Sequence, residues 1–497
     1  MVSLATLPDV VLERPALTEI LGAAPPAGVE RVTGVAHDSR AVEPGFAFVA
    51  VPGFKRDGAE FVPEAVRRGA VLVVAEREVP GVPAVVVPDA RDALAAMACA
   101  VYGHPSEGME IYGVTGTNGK TTTSYALYSI LAGACGERRC GLMTTVETIY
   151  GGERRPATRT TPEATEVQAT LAAMRDAGAV RAVMEVSSHG IALKRVAGTR
   201  FAGALFTNLT RDHLDLHGSM ENYYATKREL FYRAEGPKLA NADDAWGRRL
   251  AREVEGVLLF GQGEEADYRV ESVRQGRGGT AFALRSPGGV LELETPLLGA
   301  YNVLNVAGAA ALALAAGVEA GAVECAARRM GQVPGRFERV ATAEECGFEV
   351  VVDYAHTDVG LEAVLGVARG VATTGGGRVL CVFGAAGERD PDKRPKMGRV
   401  AARFAEKSIV TTDDAYSEDP AKIAAEVVAG VGAEDRERVE VVLDRRAAIR
   451  RALEMAGPGD VVVVAGKGHE RVQHLPGGDV PFHDATVVRD LLAEMGR

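Results

Sequence analysis

The segment GVTGTNGKTTTS, Gly113 to Ser124, constrains the fold of this chain more than any other. It lies between an apolar run of strand length and a helical run, so its glycines predict a tight loop whose amides converge on phosphate. Lys120 would reach the β- and γ-phosphates of a nucleotide, and the Thr121 hydroxyl would coordinate Mg²⁺. The strict GxxxxGK[ST] pattern is not met, because Val114 occupies the place of its first glycine. A glycine-rich turn without a ligand is the alternative.

Apolar runs of strand length recur along the chain, and most of them precede polar, loop-like segments. Continuous apolar runs are typical of central strands in a parallel sheet that is covered by helices on both faces. They predict doubly wound α/β folds in the middle and the last third of the chain, with ligands at the carboxyl ends of the strands. The runs are GFAFVAV (45–51), AVLVVAE (70–76), MEIYGV (109–114), AVRAVMEV (179–186), FAGALFTNL (201–209), RVLCVFG (378–384), KSIVTTD (407–413) and DVVVVAG (460–466).

The length of 497 residues suggests three domains, because a domain commonly holds about 150 residues. Two turn-rich segments are predicted to link these domains: VYGHPSEGME (101–110) and GQVPGRFERV (331–340). We therefore predict domains at residues 1–103, 104–336 and 337–497, each with an α/β fold.

The composition indicates a globular enzyme and excludes several other classes. A net charge of −11 repels nucleic-acid backbones and anionic lipid, so we expect neither as a partner. An anionic substrate would need a local cluster of Lys, Arg and backbone amides. The six cysteines form no CxxC pair, which favours reduced thiols over a zinc site. The absence of a signal peptide and of a long apolar stretch leads us to expect a cytoplasmic protein.

Two further segments carry side chains suited to a metal. Glu185 in MEVSSHG ends a predicted strand, where its carboxylate would hold Mg²⁺ beside the phosphate loop. The alternative is an acid that is simply solvated at a strand end. His213 in NLTRDHLDLHG (208–218) follows the next predicted strand, and a metal site and a surface turn both remain open for it.

Taken together, the motifs of this chain resemble those of the Mur ligases of peptidoglycan synthesis, most nearly the branch that adds a diamino acid to UDP-N-acetylmuramoyl-L-alanyl-D-glutamate. The resemblance spans nearly the full length and implies an N-terminal UDP-binding domain, a central ATPase domain and a Rossmann-like C-terminal domain. It also implies that ATP converts the D-glutamyl carboxylate into an acyl phosphate, which the incoming amine attacks. The motifs are TGTNGKTTT, MEVSSHG, FTNLTRDHLDLHG, PGRFERV, DYAHT, FGAAGERDPDKRPKMG and AGKGHE, in that order.

The resemblance also implies roles for residues around ATP and Mg²⁺. Lys120, Glu185, His213 and Lys227 would be catalytic, and Thr121 would join the last three as a metal ligand. Lys227 matches a lysine that CO₂ converts to a carbamate, an anionic Mg²⁺ ligand; without the resemblance it would read as a helix-surface lysine. The ATP-binding positions would be Thr115, Gly116, Thr117, Asn118, Gly119, Lys120, Thr121, Thr122, Asn302, Asn305, Arg336, Asp353 and His356.

The same resemblance implies positions for the two other substrates. An arginine such as Arg195 suits the anionic UDP-sugar-peptide because it can form bidentate bonds. The UDP-sugar-peptide contacts would be His37, Ser39, Phe54, Lys55, Arg56, Thr160, Thr161, Ser187 and Arg195. The incoming amino acid would contact Arg389, Asp413, Asp414, Tyr416, Gly466 and Glu470.

The identity of that amino acid is predicted from a departure from the family pattern. Relatives that add meso-diaminopimelate carry Asp-Asn-Pro-Arg where this chain has Asp413-Asp414-Ala415-Tyr416, so the arginine is missing. An unpaired carboxylate among these acids is costly, whereas an ammonium would find partners. We therefore predict a preference for L-lysine or L-ornithine over meso-diaminopimelate. The structural alternative for Arg389 is an ion pair with Asp390 or Asp392.

Three other functions compete with this hypothesis. One is a non-catalytic UDP-sugar-binding scaffold, which would not need Lys120, Glu185 and Lys227 together. A folylpolyglutamate synthetase shares the phosphate loop and the modified lysine, but not the DSR, FKRDG, GERD or GKGHE segments. A P-loop switch or motor would hydrolyse ATP without an acceptor. We expect instead a monomeric ligase that uses ATP, Mg²⁺ and CO₂ for lysine carbamylation.

Overall fold

The computed structural model describes residues 10–53, 56–276 and 278–496, and within them the chain forms two compact units. The first unit contains residues up to Ser272 together with Ala283–Leu293 and Leu304–Arg328. The second contains Val273–Phe282, Glu294–Val303 and the residues from Arg329 onward. Most residues of the first two predicted domains lie in the first unit, whereas most of the third lie in the second. The exact boundaries at 103 and 336 stay a prediction.

The first unit begins with a small parallel sheet. Its strands follow chain order, and every residue of Phe46–Val49 and Leu72–Ala75 is buried, as the apolar runs predict. Helix Ala90–Val101 packs on this sheet and contributes to the same hydrophobic core. The strands are Gly34–Ala36, Phe46–Val49, Leu72–Ala75 and Ala84–Val86, preceded by the antiparallel pair Leu12–Glu13 and Arg31–Val32.

A larger sheet in the same unit positions the predicted phosphate loop. Strand Glu110–Thr115 lies between Arg181–Glu185 and Gly203–Phe206, and it is parallel to both. The three predicted strands are therefore confirmed, and the loops that follow them emerge at one edge of the sheet. The strand order is Glu153–Pro156, Glu147–Tyr150, Cys140–Met143, Arg181–Glu185, Glu110–Thr115, Gly203–Phe206, Lys238–Asn241 and Val257–Gly261. Strands Tyr268–Gly276, Gly279–Ser286 and Gly289–Thr295 follow along the chain.

The second unit is built on a parallel sheet with one antiparallel edge strand, Glu338–Ala341. Its three predicted strands are confirmed, and all five residues of Val379–Phe383 and of Val461–Ala465 are buried. The strand order is Glu338–Ala341, Glu349–Asp353, Val461–Ala465, Val379–Phe383, Lys407–Val410 and Val439–Val441. A hairpin of Val472–Leu475 and Gly478–Pro481 follows.

Helices connect the strands of both units, as a doubly wound α/β fold requires. Among the residues that the structure describes, no helix has the length and apolar character needed to cross a membrane. The helices are Arg14–Leu21, Val62–Arg67, Ala90–Val101, Lys120–Cys135, Ala164–Asp176, Ser188–Ala192, Leu214–His217, Met220–Arg233, Ala245–Glu253, Ala300–Ala315, Ala320–Arg329, Ala343–Cys346, Asp358–Gly375, Lys393–Phe404, Pro420–Ala429, Arg445–Met455 and Asp484–Glu494.

A fully buried ion pair joins the last helix to the core of the second unit. Arg445 donates to both carboxylate oxygens of Asp484 at 2.8 and 2.7 Å. Asp484→Ala would leave the buried guanidinium without its ion-pair partner, so we expect the free energy of unfolding to fall by about 3–5 kcal/mol. Urea unfolding of the variant and of the unmodified protein measures this difference in the free energy of unfolding. The control Glu494→Ala breaks the half-exposed pairs with Arg446 and Arg450 and should change stability far less. Equal losses would contradict the prediction.

Candidate active site

The loop after strand Glu110–Thr115 has the close backbone packing that a phosphate-binding loop needs. Gly116 has a φ of 149° and Gly119 a φ of 82°. A Cβ on Gly116 would lie 1.9 Å from Thr207 Oγ1, and one on Gly119 would lie 2.3 Å from Asn305 Oδ1, so neither position admits a side chain. Helix Lys120–Cys135 begins directly afterwards, which aims its first N–H groups toward the loop. Residues 115–122, all predicted to bind ATP, thus form one continuous strand–loop–helix segment.

Two lysines meet at the carbonyl of Gly116. Lys120 Nζ donates to Gly116 O at 3.2 Å and to Thr117 O at 2.9 Å, and Lys227 Nζ donates to Gly116 O at 2.7 Å. Lys227 is only 1% exposed, and burial, followed by the charge of Lys120, holds its pKa well below the usual value. Its description as a helix-surface lysine is therefore wrong.

The carboxylate of Glu185 is buried and held on both of its oxygens. Thr121 Oγ1 donates to Oε1 at 2.6 Å, while the amide and hydroxyl of Thr145 both donate to Oε2 at 2.7 Å. Glu185 is therefore not a solvated strand-end acid, and it directly contacts the threonine predicted to share Mg²⁺ with it. Thr145 was missed from the sequence. It follows strand Cys140–Met143, the parallel neighbour of Arg181–Glu185.

His213 lies in a cluster of aromatic rings beside Lys227. Its ring centroid is 4.7 Å from that of His189, and the ring of His217 stacks on Tyr223 at 4.8 Å. Lys227 Nζ lies 4.7 Å from the centre of the Tyr223 ring. Burial lowers the pKa of all three histidines, so they are predominantly neutral at neutral pH. His217 and Tyr223 were not singled out from the sequence, although His217 follows His213 by one helical turn.

The oxygen donors of this site could hold Mg²⁺ only together with further oxygen ligands. Among the described residues, no group of three or more His, Cys, Asp or Glu is arranged to hold a metal. Thr121 and Glu185 offer hard oxygen ligands, the type that Mg²⁺ prefers, and Mg²⁺ commonly takes its remaining ligands from phosphates and water. Lys120 at Gly116 O adds positive charge that a polyphosphate needs. Bound Mg²⁺ would neutralise charge on the transferred phosphoryl group.

Residues predicted to bind the UDP-sugar-peptide adjoin Glu185. Thr161 Oγ1 donates to the backbone carbonyl of Glu185 at 3.0 Å and accepts from the amide of Ser187 at 3.0 Å. Thr160 Oγ1 lies 3.0 Å from Thr145 Oγ1, and Arg195 Nη1 donates to Thr161 O at 3.0 Å. These contacts connect the residues predicted to bind the UDP-sugar-peptide to Glu185, whose carboxylate lies beside the phosphate loop.

Arg195 belongs to a cationic cluster around a single acid. Glu163 Oε1 lies 2.6 Å from Arg195 Nη2 and 3.1 Å from Arg159 Nη1, and Glu163 Oε2 lies 3.5 Å from Arg91 Nη1. One carboxylate among three guanidiniums leaves an excess of positive charge, which suits an anionic substrate. Glu163 was not singled out from the sequence, because the three arginines lie on separate segments.

The remaining positions predicted to bind the UDP-sugar-peptide each have a different side-chain partner. His37 Nδ1 lies 3.4 Å from Thr165 Oγ1, and burial lowers its pKa. Ser39 is buried and donates to Glu64 at 2.8 Å, whereas the exposed Arg56 bonds Glu60 at 2.9 Å. Phe54 and Lys55 lie outside the described residues.

Three of the predicted nucleotide positions cluster in the second unit. Arg336 lies 4.6 Å above the ring of Tyr354, and His356 Nδ1 is 2.9 Å from Tyr354 O. Asp353 accepts from the amides of Phe337 and Ala355 at 2.6 and 2.7 Å. Asn302 donates to Leu298 O at 2.7 Å, and Asn305, in the first unit, accepts from Thr123 at 3.2 Å. The Arg336 Nε is buried and has no hydrogen-bond partner within the part of the chain that the structure describes.

The acids predicted to meet the amino acid are partly neutralised within the chain. The buried Lys467 donates to Asp414 at 2.8 Å and to Glu470 at 2.9 Å. Gly466, with a φ of 116°, packs so closely that a Cβ would lie 2.3 Å from Asp413 Oδ2. Because Lys467 already pairs with Asp414, this acid has less negative charge to offer a substrate ammonium, and its contact with the amino acid stays a prediction. Lys467 was overlooked although it lies in the GKGHE motif.

The aromatic rings of Tyr416 and His474 stack on each other. Their centroids are 5.2 Å apart with an interplanar angle of 10°. Tyr416 N also donates to His474 O at 3.0 Å. Arg389 Cζ lies 5.8 Å from the centre of the Tyr416 ring. Among the described residues, no ion pair joins Arg389 to Asp390 or Asp392, and its contact with the amino acid stays a prediction.

Comparisons with known proteins find relatives that match nearly the whole chain. The Mur ligase family catalytic domain matches residues 31–102, the Mur ligase middle domain residues 114–313 and the Mur ligase glutamate ligase domain residues 335–468. The UDP-N-acetylmuramoyl-L-alanyl-D-glutamate--2,6-diaminopimelate ligase of Syntrophomonas wolfei is 40% identical over 471 residues, covering 93% of this chain and 94% of that protein. The chain belongs to the Mur ligase family. As a Mur ligase, it is an ATP-dependent enzyme that forms an amide bond.

Solved structures agree with membership of the Mur ligases. A UDP-N-acetylmuramoyl-L-alanyl-D-glutamate--2,6-diaminopimelate ligase is 31% identical, with a TM-score of 0.68 over 97% of this chain and 99% of that chain. A folylpolyglutamate synthase of Mycobacterium tuberculosis has a TM-score of 0.61 over 81% of this chain and 95% of that chain, but it is only 18% identical. The second likeness shows a shared fold alone.

Proposed function

We propose that this Mur ligase adds a diamino acid to UDP-N-acetylmuramoyl-L-alanyl-D-glutamate through an acyl phosphate, in the synthesis of peptidoglycan precursors. The observation that carries this proposal is the double contact of Thr161 and Thr121 with Glu185. Through Glu185, a residue predicted to bind the UDP-sugar-peptide lies next to a residue of the phosphate loop. The curated relative from Syntrophomonas wolfei, whose name includes the same acceptor, supports it.

The proposed reaction has two steps. A D-glutamyl carboxylate oxygen attacks the γ-phosphorus of ATP and ADP leaves; the amine then attacks the acyl carbon, and phosphate leaves. Lys120 would stabilise charge on the transferred phosphoryl group, while Thr121, Glu185, His213 and a carbamylated Lys227 would hold Mg²⁺. Burial lowers the pKa of Lys227, which favours the neutral amine, and only a neutral amine reacts with CO₂ to form the carbamate.

The other predicted positions receive the substrates in this proposal. Arg195, held by Glu163 and Thr161, would bind an anionic group of the acceptor. Arg336, Asp353 and His356 would face the nucleotide, with the two asparagines as supporting residues. The chain would act as a monomer built from the three proposed domains.

For the added amino acid, we propose that L-lysine or L-ornithine is favoured over meso-diaminopimelate. Tyr416 replaces the arginine of the diaminopimelate pattern, and its ring, stacked on His474, cannot neutralise a second carboxylate. Lys467 weakens the acidic character of the site, so the proposal rests on the missing cation rather than on Asp414. The names of the relatives favour 2,6-diaminopimelate instead.

Supplying the three amino acids in turn to the Tyr416→Arg variant and to the unmodified enzyme tests this preference. We expect the unmodified enzyme to have the higher kcat/KM for L-lysine or L-ornithine. Tyr416→Arg should shift the ratio toward meso-diaminopimelate by about tenfold or more, because it restores a partner for the carboxylate. Tyr232→Arg, an exposed tyrosine elsewhere, is the control. A clear preference of the unmodified enzyme for meso-diaminopimelate would overturn the proposal.

The proposed reaction itself is tested by ADP release and product mass. ADP formation should require both the UDP-sugar-peptide and a diamino acid, and the product should contain their amide. ATP turnover without either substrate would support a P-loop switch. A thermal shift with a folate but not with the UDP-sugar-peptide would support a folylpolyglutamate synthetase.

A further inference from the structure

A β-hairpin of the second unit packs on the amino-acid segment (residues 412–416), which holds three of the positions predicted to contact the incoming amino acid. The strands of the hairpin, Val472–Leu475 and Gly478–Pro481, pair antiparallel and are joined by a two-residue turn. Two consecutive residues of the first strand, Gln473 and His474, make the contacts. Neither of them was predicted from the sequence to have a role.

Gln473 holds the backbone of the amino-acid segment with its side-chain amide. Its Nε2 donates to the carbonyl oxygens of Thr412 and Asp413, both at 3.1 Å. All three residues are buried, and a buried carbonyl that lacks a hydrogen bond is costly. Removing this donor would therefore loosen the path of the segment.

His474 contacts the same segment at three points. Its amide donates to Asp414 Oδ1 at 2.9 Å, and its carbonyl accepts from the amide of Tyr416. Its ring stacks on the ring of Tyr416. Tyr416 has a φ of 50°, a left-handed conformation that is uncommon for an aromatic residue and persists only where the surrounding structure enforces it. The backbone and the ring of His474 both supply that support.

The ring of His474 is in turn held from the opposite strand of the hairpin. Asp479 is its cross-strand partner, and His474 Nδ1 lies 2.6 Å from Asp479 Oδ1. A ring that is fixed by such a contact can fix the ring that stacks on it. Support therefore passes from Asp479 through His474 to Tyr416, the residue that replaces the arginine of the diaminopimelate pattern.

We propose that Gln473 and His474 are positioning residues of the amino-acid site, and that His474 determines specificity through Tyr416. Neither touches the substrate: Gln473 sets the backbone path of the amino-acid segment, and His474 sets the orientation of the Tyr416 ring. A ring that is already ordered loses less entropy on binding than a mobile one, so the expected effect is on the affinity for the amino acid. The inference rests on the proposed function, because it concerns the same substrate.

Steady-state kinetics with each substrate varied in turn tests the role of His474. His474→Ala should raise KM for the amino acid by about fivefold to tenfold, and it should bring kcat/KM for L-lysine and for meso-diaminopimelate closer together by a similar factor. KM for ATP should change by less than about twofold, which general destabilisation would not spare. His474→Phe keeps a ring that can stack and should restore most of the affinity. Val480→Ala, at an exposed position of the same hairpin, is the control.

A double-mutant cycle distinguishes a role through Tyr416 from an independent one. Tyr416→Ala should itself raise KM for the amino acid. Adding His474→Ala to that variant should change KM little further, because two residues that act through one contact are not additive. Fully additive effects, or normal KM and specificity in His474→Ala, would overturn the proposed role of His474.

Hydrogen exchange measures the support of the amino-acid segment without any ligase reaction. Gln473→Met keeps the length of the side chain but removes its donor, so the amides of residues 412–418 should exchange faster than in the unmodified protein. Exchange in strand Val379–Phe383 should not change, and Val480→Ala should alter neither region. Unchanged exchange of residues 412–418 would refute the positioning role of Gln473. Failure of the unmodified enzyme to use any of the three amino acids would instead refute the proposed function, and with it the assignment of both residues to that substrate.

Discussion

Lys120→Ala is expected to lower the turnover number of the ligase by about 100-fold or more while leaving the fold intact. The ammonium group lies over the loop carbonyls of Gly116 and Thr117, where a phosphate would be held. Lys227 cannot replace it, because its amine is buried and its pKa is strongly lowered. ADP release at saturating ATP, acceptor and amino acid gives the turnover number directly.

Lys422→Ala is the matched control for that variant, since it removes an exposed lysine from helix Pro420–Ala429. It should retain normal turnover. The melting temperature and circular dichroism spectrum of Lys120→Ala should match those of the unmodified protein. Near-normal turnover in a folded Lys120→Ala protein would remove this lysine from the mechanism.

The sequence predicts the features that depend on neighbouring residues. The phosphate loop follows from glycines and a lysine between a strand and a helix, and the structure has this strand–loop–helix order at Glu110–Cys135. The buried strands follow from short apolar runs, since a strand covered on both faces needs no polar alternation. Even the approximate location of Glu185 follows, because parallel strands end at one edge of their sheet.

Long-range contacts account for most of what the sequence missed. Thr145 holds Glu185 only because two strands distant in sequence pair side by side. Lys467 reaches Asp414 across 53 residues, and its charge makes the amino-acid site less acidic than the sequence predicts. The pattern around Lys227 is that of a solvated helix face, and only packing against Tyr223 and the loop shows that this lysine is buried. Propensity and periodicity carry no information about such pairings.

Lys227→Ala is expected to be nearly inactive and to regain part of its activity in formate or acetate. A carbamate on Lys227 would add an anionic oxygen ligand beside Glu185 and His213, and a small carboxylate can enter the space that the shorter side chain leaves. Lys227→Arg should be inactive with or without these anions, because a guanidinium cannot become a carbamate and fills the space. ADP release with and without added carboxylate measures both effects.

The rescue distinguishes loss of a ligand from loss of structure. Removing a fully buried side chain leaves a cavity and lowers stability, so activity alone would not identify the cause. An anion that restores turnover must act at the site, since added formate does not repair general destabilisation. Lys238→Ala, a partly buried lysine at the start of strand Lys238–Asn241, should keep its activity and show no response to formate. Removing dissolved CO₂ and bicarbonate should lower the activity of the unmodified enzyme but not that of the formate-rescued variant, because only the former needs the carbamate. Full activity of Lys227→Arg would rule out the carbamate and leave Lys227 as a buried structural residue.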